Sequence, residues 1–200
     1  MRQSPRRPPA CVSIGFPDTG YTRIGSDAAA IMGYARQYDT QIVLKEDGQD
    51  AKQYLRTFAL DDNAKPAYSL RQGAEAAGAV SPHAIDVLNG TPYYLSPQGV
   101  MGIYGTYVTE YRTISGVSQR INPKLCRENL SQAAACVWDG KYYLAVGTHC
   151  YVADSRQMTD GIPEWYYWEN IPAPQSMASI SAIQSNRFSL VFKIFPPFNK

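Results

Sequence analysis

The sequence AAACVWDGKYYLAVGTHCYVA, residues 133–153, decides the fold of this chain. Asp139-Gly140 stands between two apolar runs and marks a two-residue hairpin, because both central positions of such a turn take positive φ. Gly147-Thr148 then interrupts the second run. The stretch therefore predicts an antiparallel meander of short strands at 133–138, 141–146 and 149–153.

The same pattern recurs along the chain. Three segments carry it: Gln37–Leu44, Leu88–Leu95 and Trp138–Leu144. Their turn residues Asp39, Asn89 and Asp139 are 50 residues apart (89 − 39 and 139 − 89). A weaker fourth copy begins at Asn186, 47 residues later (186 − 139). Repeats must be found before a fold is assigned, and this one predicts a repeated supersecondary unit.

A repeated four-stranded meander of about 40 to 50 residues is typical of a β-propeller blade. We predict a mainly β fold of repeated antiparallel meanders, propeller-like and forming an incomplete or open arc. β-Sandwiches and β-prisms also contain repeated meanders and remain alternatives. The second turns are expected at Glu46-Asp47-Gly48 and Pro97-Gln98-Gly99, and the fourth strands at 68–70, 107–113 and 165–168.

Other segments read as connections. The alanine-rich segments 27–37 and 129–136 each predict a helical turn. Residues 75–80 read as a link between blades, and 61–65 as a polar loop.

Composition supports β structure and restricts the partners. The chain has 15 Tyr, 15 Gly and 14 Pro in 200 residues, which favours short strands and many turns. A net charge of +2 makes nucleic acid an unfavoured partner, and the basic cluster Arg2, Arg6 and Arg7 reads as part of a flexible arm. No apolar stretch reaches the roughly 18 residues of a membrane helix, and no secretory signal is present, so we expect synthesis in the cytoplasm and no membrane contact.

No metal, cofactor or disulfide is expected. Cys11, Cys126, Cys136 and Cys150 form no CxxC pair, and neither His83 nor His149 extends a ligand pattern. In the predicted hairpins Cys136 lies opposite Tyr143, and Cys150 lies opposite Ala145. Because a strand separates the two thiols, their Cα atoms should lie beyond the roughly 7 Å limit of a bridge.

No catalytic residue is assigned, although two acidic pairs invite an enzymatic interpretation. Asp154, two residues before Arg156, reads as a turn aspartate that closes the third strand. Glu164 and Glu169 flank an aromatic strand, as the acids of a glycosidase could, but at this spacing they should face opposite ways. Within Trp165-Tyr-Tyr-Trp168, alternate rings should point to opposite faces, either into the core or into an interface. Motifs for a nucleophile or a phosphate loop are absent.

Several segments together resemble virion proteins of tailed bacteriophages and prophages. They are Leu88–Val100, Val108–Glu110, Arg127–Leu130, Ala133–Leu144, Tyr151–Gln157 and Glu164–Pro172. The resemblance covers most of residues 20–173. It implies a tail-associated structural protein with propeller-like repeats, whose partners are other virion subunits or copies of itself, and which resides in the virion.

Three regions are therefore expected. Residues 1–20 form a flexible basic, proline-rich arm, 21–173 a β-repeat domain of about three units, and 174–200 a degraded or truncated fourth unit. The resemblance predicts a non-enzymatic binding scaffold in the tail or connector of the particle. A carbohydrate-binding propeller or a hydrolase of host glycans remains the alternative. With so few units the chain should not close on itself, and it should oligomerise or be poorly soluble.

Overall fold

The protein contains separate four-stranded antiparallel sheets. A computed structural model describes residues 22–48, 52–106 and 111–171, and the predicted arm 1–20, the tail 174–200 and the copy beginning at Asn186 lie outside these ranges. The first sheet comprises β1 (Ile31–Gln37), β2 (Thr40–Lys45), β3 (Lys52–Leu60) and β4 (Pro66–Glu75). The second comprises β5 (Ile85–Leu88), β6 (Thr91–Ser96), β7 (Gly99–Tyr104) and β8 (Thr113–Gly116). The third comprises β9 (Ala134–Trp138), β10 (Lys141–Val146), β11 (His149–Thr159) and β12 (Ile162–Trp168). In each sheet the strand order follows the sequence, which confirms the mainly β class and the repeated meander.

The three predicted turns all link antiparallel strands, with one shift of register. Asn89-Gly90 and Asp139-Gly140 take positive φ at both positions, as a type I′ turn requires. In the first sheet the turn is Tyr38-Asp39, one residue earlier than predicted, with Tyr38 at φ 55° and Thr40 already in β2. The equivalent turn positions are therefore 38, 89 and 139, which are 51 and 50 residues apart (89 − 38 and 139 − 89).

When the sheets are aligned on these turns, each sheet packs against the next through the same one of its two faces. Ile42, Tyr93 and Tyr143 occupy the same position in their sheets. Ile42 packs in one core cluster with Tyr94 of the second sheet, and Tyr93 packs in another with Tyr142 of the third. Tyr143 lies on the far side of the third sheet, in a separate cluster. Each sheet thus presents the same face, which we call its forward face, to the sheet that follows it.

Contacts between the sheets involve their first strands. Strand β1 contacts β5 and β6, and β5 contacts β9. Polar side chains secure both junctions: Gln37 donates to the Gly90 and Ile103 carbonyls at 3.3 and 2.9 Å, and Asp86 accepts from the Val137 amide at 2.7 Å. Within the described ranges the first and third sheets are not joined edge to edge, and the stack does not close into a barrel or propeller, as expected.

Some local predictions are confirmed and others are wrong. Residues 61–65 form the polar loop, where Asp61 accepts from the Asn63 and Lys65 amides, and 76–80 connect two sheets. The helical turn expected within 27–37 is wrong, because 31–37 is β1. In 129–136 only a 3₁₀ turn at Leu130–Gln132 is present before β9 begins.

Two further differences lie between the second and third sheets. The fourth strand expected at 107–113 is displaced: β8 begins only at Thr113, and 107–110 lie outside the described residues. A short helix, α1 (Asn122–Leu125), was not predicted, and Pro123 in its first turn was the available signal. None of the helices in the described ranges is long and apolar enough to cross a bilayer.

Candidate functional site

Asp154 lies in an ion-pair network and not at the end of a strand. It sits inside β11, just before a register irregularity, so the prediction that it closes the third strand is wrong. Its carboxylate accepts from Lys141 Nζ and from the amide and Nε of Arg156, and Arg156 also binds Asp139 at 3.2 Å. The hydrogen bond from Lys141 is the main reason that the pKa of Asp154 is lowered. The network fixes the β9–β10 turn to β11.

Glu164 and Glu169 are held by separate cations. Glu164 binds Arg120 and accepts from the Thr159 hydroxyl at 2.9 Å, and the hydrogen bond from Arg120 is the main cause of its lowered pKa. Glu169 lies 3.7 Å from Lys124 Nζ. A glycosidase needs one acid that keeps its proton near neutral pH, with a raised pKa. The lowered pKa of Glu164 is the opposite property.

A titratable cluster that the sequence did not reveal lies where α1 and the segment after it meet the third sheet. Glu128 accepts from the Tyr151 hydroxyl and lies 3.1 Å from His149 Nδ1. Burial, and then the bond to Glu128, raise the pKa of Tyr151. The rings of His149 and Tyr151 pack on Tyr167, and Lys124 Nζ lies 3.2 Å from the Tyr167 ring centroid. These contacts attach the connection between the second and third sheets to β11 and β12.

The cysteine registers are confirmed. Cys136 pairs with Tyr143, and Cys150 pairs with Ala145, so β10 lies between the two thiols. Two strand spacings separate β9 from β11 by about 9.6 Å, which is more than the roughly 7 Å that a disulfide spans between Cα atoms. Burial raises the pKa of Cys150 to about 12, which keeps this thiol protonated and unreactive. Within the described ranges no three His, Cys, Asp or Glu residues are placed to hold a metal ion.

The aromatic strand β12 alternates as predicted. Trp165 and Tyr167 pack into the core between the second and third sheets, and Trp165 Nε1 donates to the Val117 carbonyl at 2.7 Å. Trp168 packs on the opposite face of the third sheet. Tyr166 is on that same opposite face and is 41% exposed. Most of the strand is therefore core, and one ring remains at the surface.

The outer face of the first sheet, defined by Tyr34, Arg56, Phe58 and Tyr68, carries a group of exposed aromatic side chains. Each of the three rings is about half exposed or more. Phe58 and Tyr68 pack edge to face with centroids 5.6 Å apart, and Arg56 Cζ lies 4.0 Å from the Tyr68 centroid. These side chains point away from the second sheet, because their strand neighbours Leu55 and Ala35 pack toward it.

In the other two sheets the same positions are covered by the preceding sheet. Ile103 and Ala153 stand where the first sheet has Arg56, and both are completely buried. Ala135 stands where the first sheet has Tyr34, and it too is buried. We call the side of each sheet opposite its forward face the backward face. The outer face of the first sheet is thus the one backward face among the described sheets that no other described sheet covers.

Comparison of the sequence with protein-family models finds no match, and a search of curated proteins finds no similar protein either.

Proposed function

We propose that this chain is a non-enzymatic binding scaffold, a structural or assembly protein in the tail or connector region of a tailed-phage particle. It is made in the cytoplasm of the host bacterium and carried in the virion. The resemblance of its repeats to virion proteins supports this assignment. The observation that carries it is the exposed outer face of the first sheet.

This face has the composition of a protein interface. Aromatic residues and Arg are the side chains most enriched at binding hot spots. Tyr68 combines both features, because it packs against Phe58 and carries the Arg56 guanidinium on its ring. The rigid sheet beneath these side chains fixes them before binding, so little conformational entropy is lost on association.

The partner is a further β-sheet that presents a forward face, from another virion subunit or from a second copy of this chain. The two sheet junctions inside the chain both join a forward face to a backward face. A contact that continues this geometry is heterologous, since different surfaces meet on the two partners. The chain is then an open arc of a propeller-like assembly, in which the first strands of successive blades meet as β1, β5 and β9 do.

Replacement of Phe58 by Glu tests the proposal. Sedimentation velocity should show wild-type protein in assemblies larger than one chain, and the Phe58→Glu variant as a smaller species. Retention of tail or connector proteins from a phage lysate should fall in parallel. Tyr111→Ala is the matched control, because it removes an exposed tyrosine ring from the segment before β8, away from the outer face of the first sheet and the forward face of the third, and it should change neither measurement.

A wild-type chain that sediments as a stable monomer and retains no virion protein would contradict this function. So would a Phe58→Glu variant that assembles like wild type. The hydrolase alternative gains no support from Asp154 or Glu164, since ion pairs lower the pKa of both carboxyls.

A further inference from the structure

A cavity of about 500 Å³ lies at the end of the first sheet where β1 begins and β2 ends. It is lined by Lys45 of β2, by Ile31 of β1 and by residues of the segment 22–30 that leads into β1. These lining residues all belong to the continuous described stretch 22–48. The volume is within the range of about 300–1,000 Å³ that is usual for small-ligand sites.

Two contacts fix the segment 22–30 against the sheet. The Glu46 amide donates to the Ala30 carbonyl at 2.8 Å. Gly25 takes a φ of +66°, and it lies so close to Tyr54 that a Cβ at this position would meet the Tyr54 hydroxyl oxygen at 2.4 Å. Glycine is the residue that permits both this φ and this approach. The wall of the cavity is therefore formed before a ligand binds, which lowers the entropy cost of binding.

Lys45 is a buried cation without a carboxylate partner. Only 1% of its surface is exposed, and because Ile42 and Leu44 pack toward the second sheet, strand alternation places the Lys45 side chain on the backward face. Its Nζ donates to the Ser26 carbonyl, and within the described ranges it forms no ion pair. An ammonium has three donors, and a buried charge without a counter-ion is strongly unfavourable. An anion bound in the cavity would stabilise Lys45.

The neighbours of Lys45 restrict the anion. Arg23 already binds Asp27 at 2.5 Å, and both side chains are exposed, so the unbalanced positive charge is that of Lys45. One negative charge neutralises it. A dianion such as a phosphate would bring a second charge that Lys45 does not balance, beside the Asp27 carboxylate. Ile24 and Ile31 line the same cavity and offer apolar contact to the body of a ligand.

From these features we infer that the cavity is a binding site for a small organic monocarboxylate. A carboxylate oxygen of the ligand accepts from Lys45 Nζ, and the rest of the molecule contacts Ile24 and Ile31. Phe58 of the outer face lies beside the β1–β2 turn, at the other end of β2. Binding of the carboxylate therefore does not require the assembly proposed above.

Saturation-transfer NMR on the full chain tests the inference with pairs of ligands that differ in charge. The pairs are hexanoate and hexanamide, phenylacetate and phenylacetamide, and glucuronate and glucuronamide, so that aliphatic, aromatic and sugar acids are also distinguished. At least one acid should bind while its amide does not. Inorganic phosphate, which is mostly a dianion above neutral pH, should not displace that acid at equal concentration.

Lys45→Met keeps the aliphatic chain and removes the charge, and it should weaken binding of that acid at least about 10-fold, which corresponds to about 1.4 kcal/mol. Lys65→Met is the matched control, because it makes the same change at an exposed lysine in the polar loop, and it should leave binding unchanged. Circular dichroism checks that each variant retains the wild-type fold.

Binding of none of the acids would overturn the inference, and so would equal binding of acid and amide in every pair. Displacement of the bound acid by phosphate would contradict the assignment to a monocarboxylate. Unchanged binding by a folded Lys45→Met variant would show that Lys45 does not hold the ligand. The comparison of acids with amides uses wild-type protein alone, so it remains decisive if Lys45→Met fails to fold.

Discussion

Leu144→Ala tests the packing between the second and third sheets. Leu144 lies in β10, is completely buried, and belongs to the core cluster that contains Tyr93 and Leu95 of the second sheet. Its backbone pairs with Ala135 on one side and Tyr151 on the other. Removal of the side chain therefore leaves a cavity bounded by paired strands, which have little freedom to collapse into it.

Buried Leu→Ala substitutions cost about 2–5 kcal/mol, and the cost is larger where the surroundings cannot relax. We expect a loss of about 3 kcal/mol or more in the free energy of unfolding. For a chain of this size, about 3 kcal/mol lowers the Tm by about 6–12 °C.

Urea unfolding followed by tryptophan fluorescence measures the loss. The denaturant midpoint should fall while the slope stays unchanged, since the area exposed on unfolding is nearly the same. Leu60→Ala, with the same chemistry at a side chain that is 60% exposed, is the control and should change stability by less than about 0.5 kcal/mol. Equal effects of the two substitutions would refute the packing described for this interface.

Three further predictions concern the third sheet. Asp154→Asn should destabilise the protein at neutral pH. Because the native pKa of Asp154 is lowered, its carboxylate stabilises the fold above the ordinary pKa of 3.8, and this stabilisation is lost as the pH falls below that value. In urea titrations the difference in stability between variant and wild type should therefore shrink at low pH, and a difference that stays constant with pH would contradict this. Trp165→Phe removes the donor to the Val117 carbonyl and should cost about 1–2 kcal/mol in the same assay, with no loss being the contrary result. Gly140→Ala should lower the free energy of unfolding by about 1 kcal/mol, because alanine disfavours the φ of +69° at this position. A steric clash is not the cause, since the nearest atom to an added Cβ is Ser155 Oγ at 3.4 Å. A crystal structure of the variant with a displaced β11 would disprove this explanation.

The sequence was most informative where structure is decided locally. Asn89-Gly90 and Asp139-Gly140 specify their turns by themselves, because few other residue pairs tolerate positive φ twice. The strands on both sides follow from short continuous apolar runs, which are typical of strands buried on both faces. The register of the first hairpin could not be predicted in this way, since Tyr38 takes a positive φ that an aromatic residue rarely adopts.

Tertiary context decided the elements that were missed. Residues 31–37 form a strand because β2 provides a hydrogen-bonding partner, and this pairing outweighs the helical turn that the neighbouring alanines favour. One cleft is lined by Gln37, Asn89 and Tyr111, although these residues are far apart in sequence. Only the contact between the first and second sheets brings these residues together, so no sequence motif could predict that they line one cleft.

The meander connectivity has a consequence for biosynthesis. Within the described sheets, every hydrogen-bonded strand pair joins neighbours in the sequence, so each sheet closes only short loops when it forms. Local pairing of this kind shortens the search for native contacts. As the chain leaves the ribosome, the first sheet has all of its strands before the second begins to emerge, and its forward face can serve as the surface on which β5 and β6 fold. Translation then delivers the units in the order in which they stack, which covers the forward face of each sheet soon after that sheet forms.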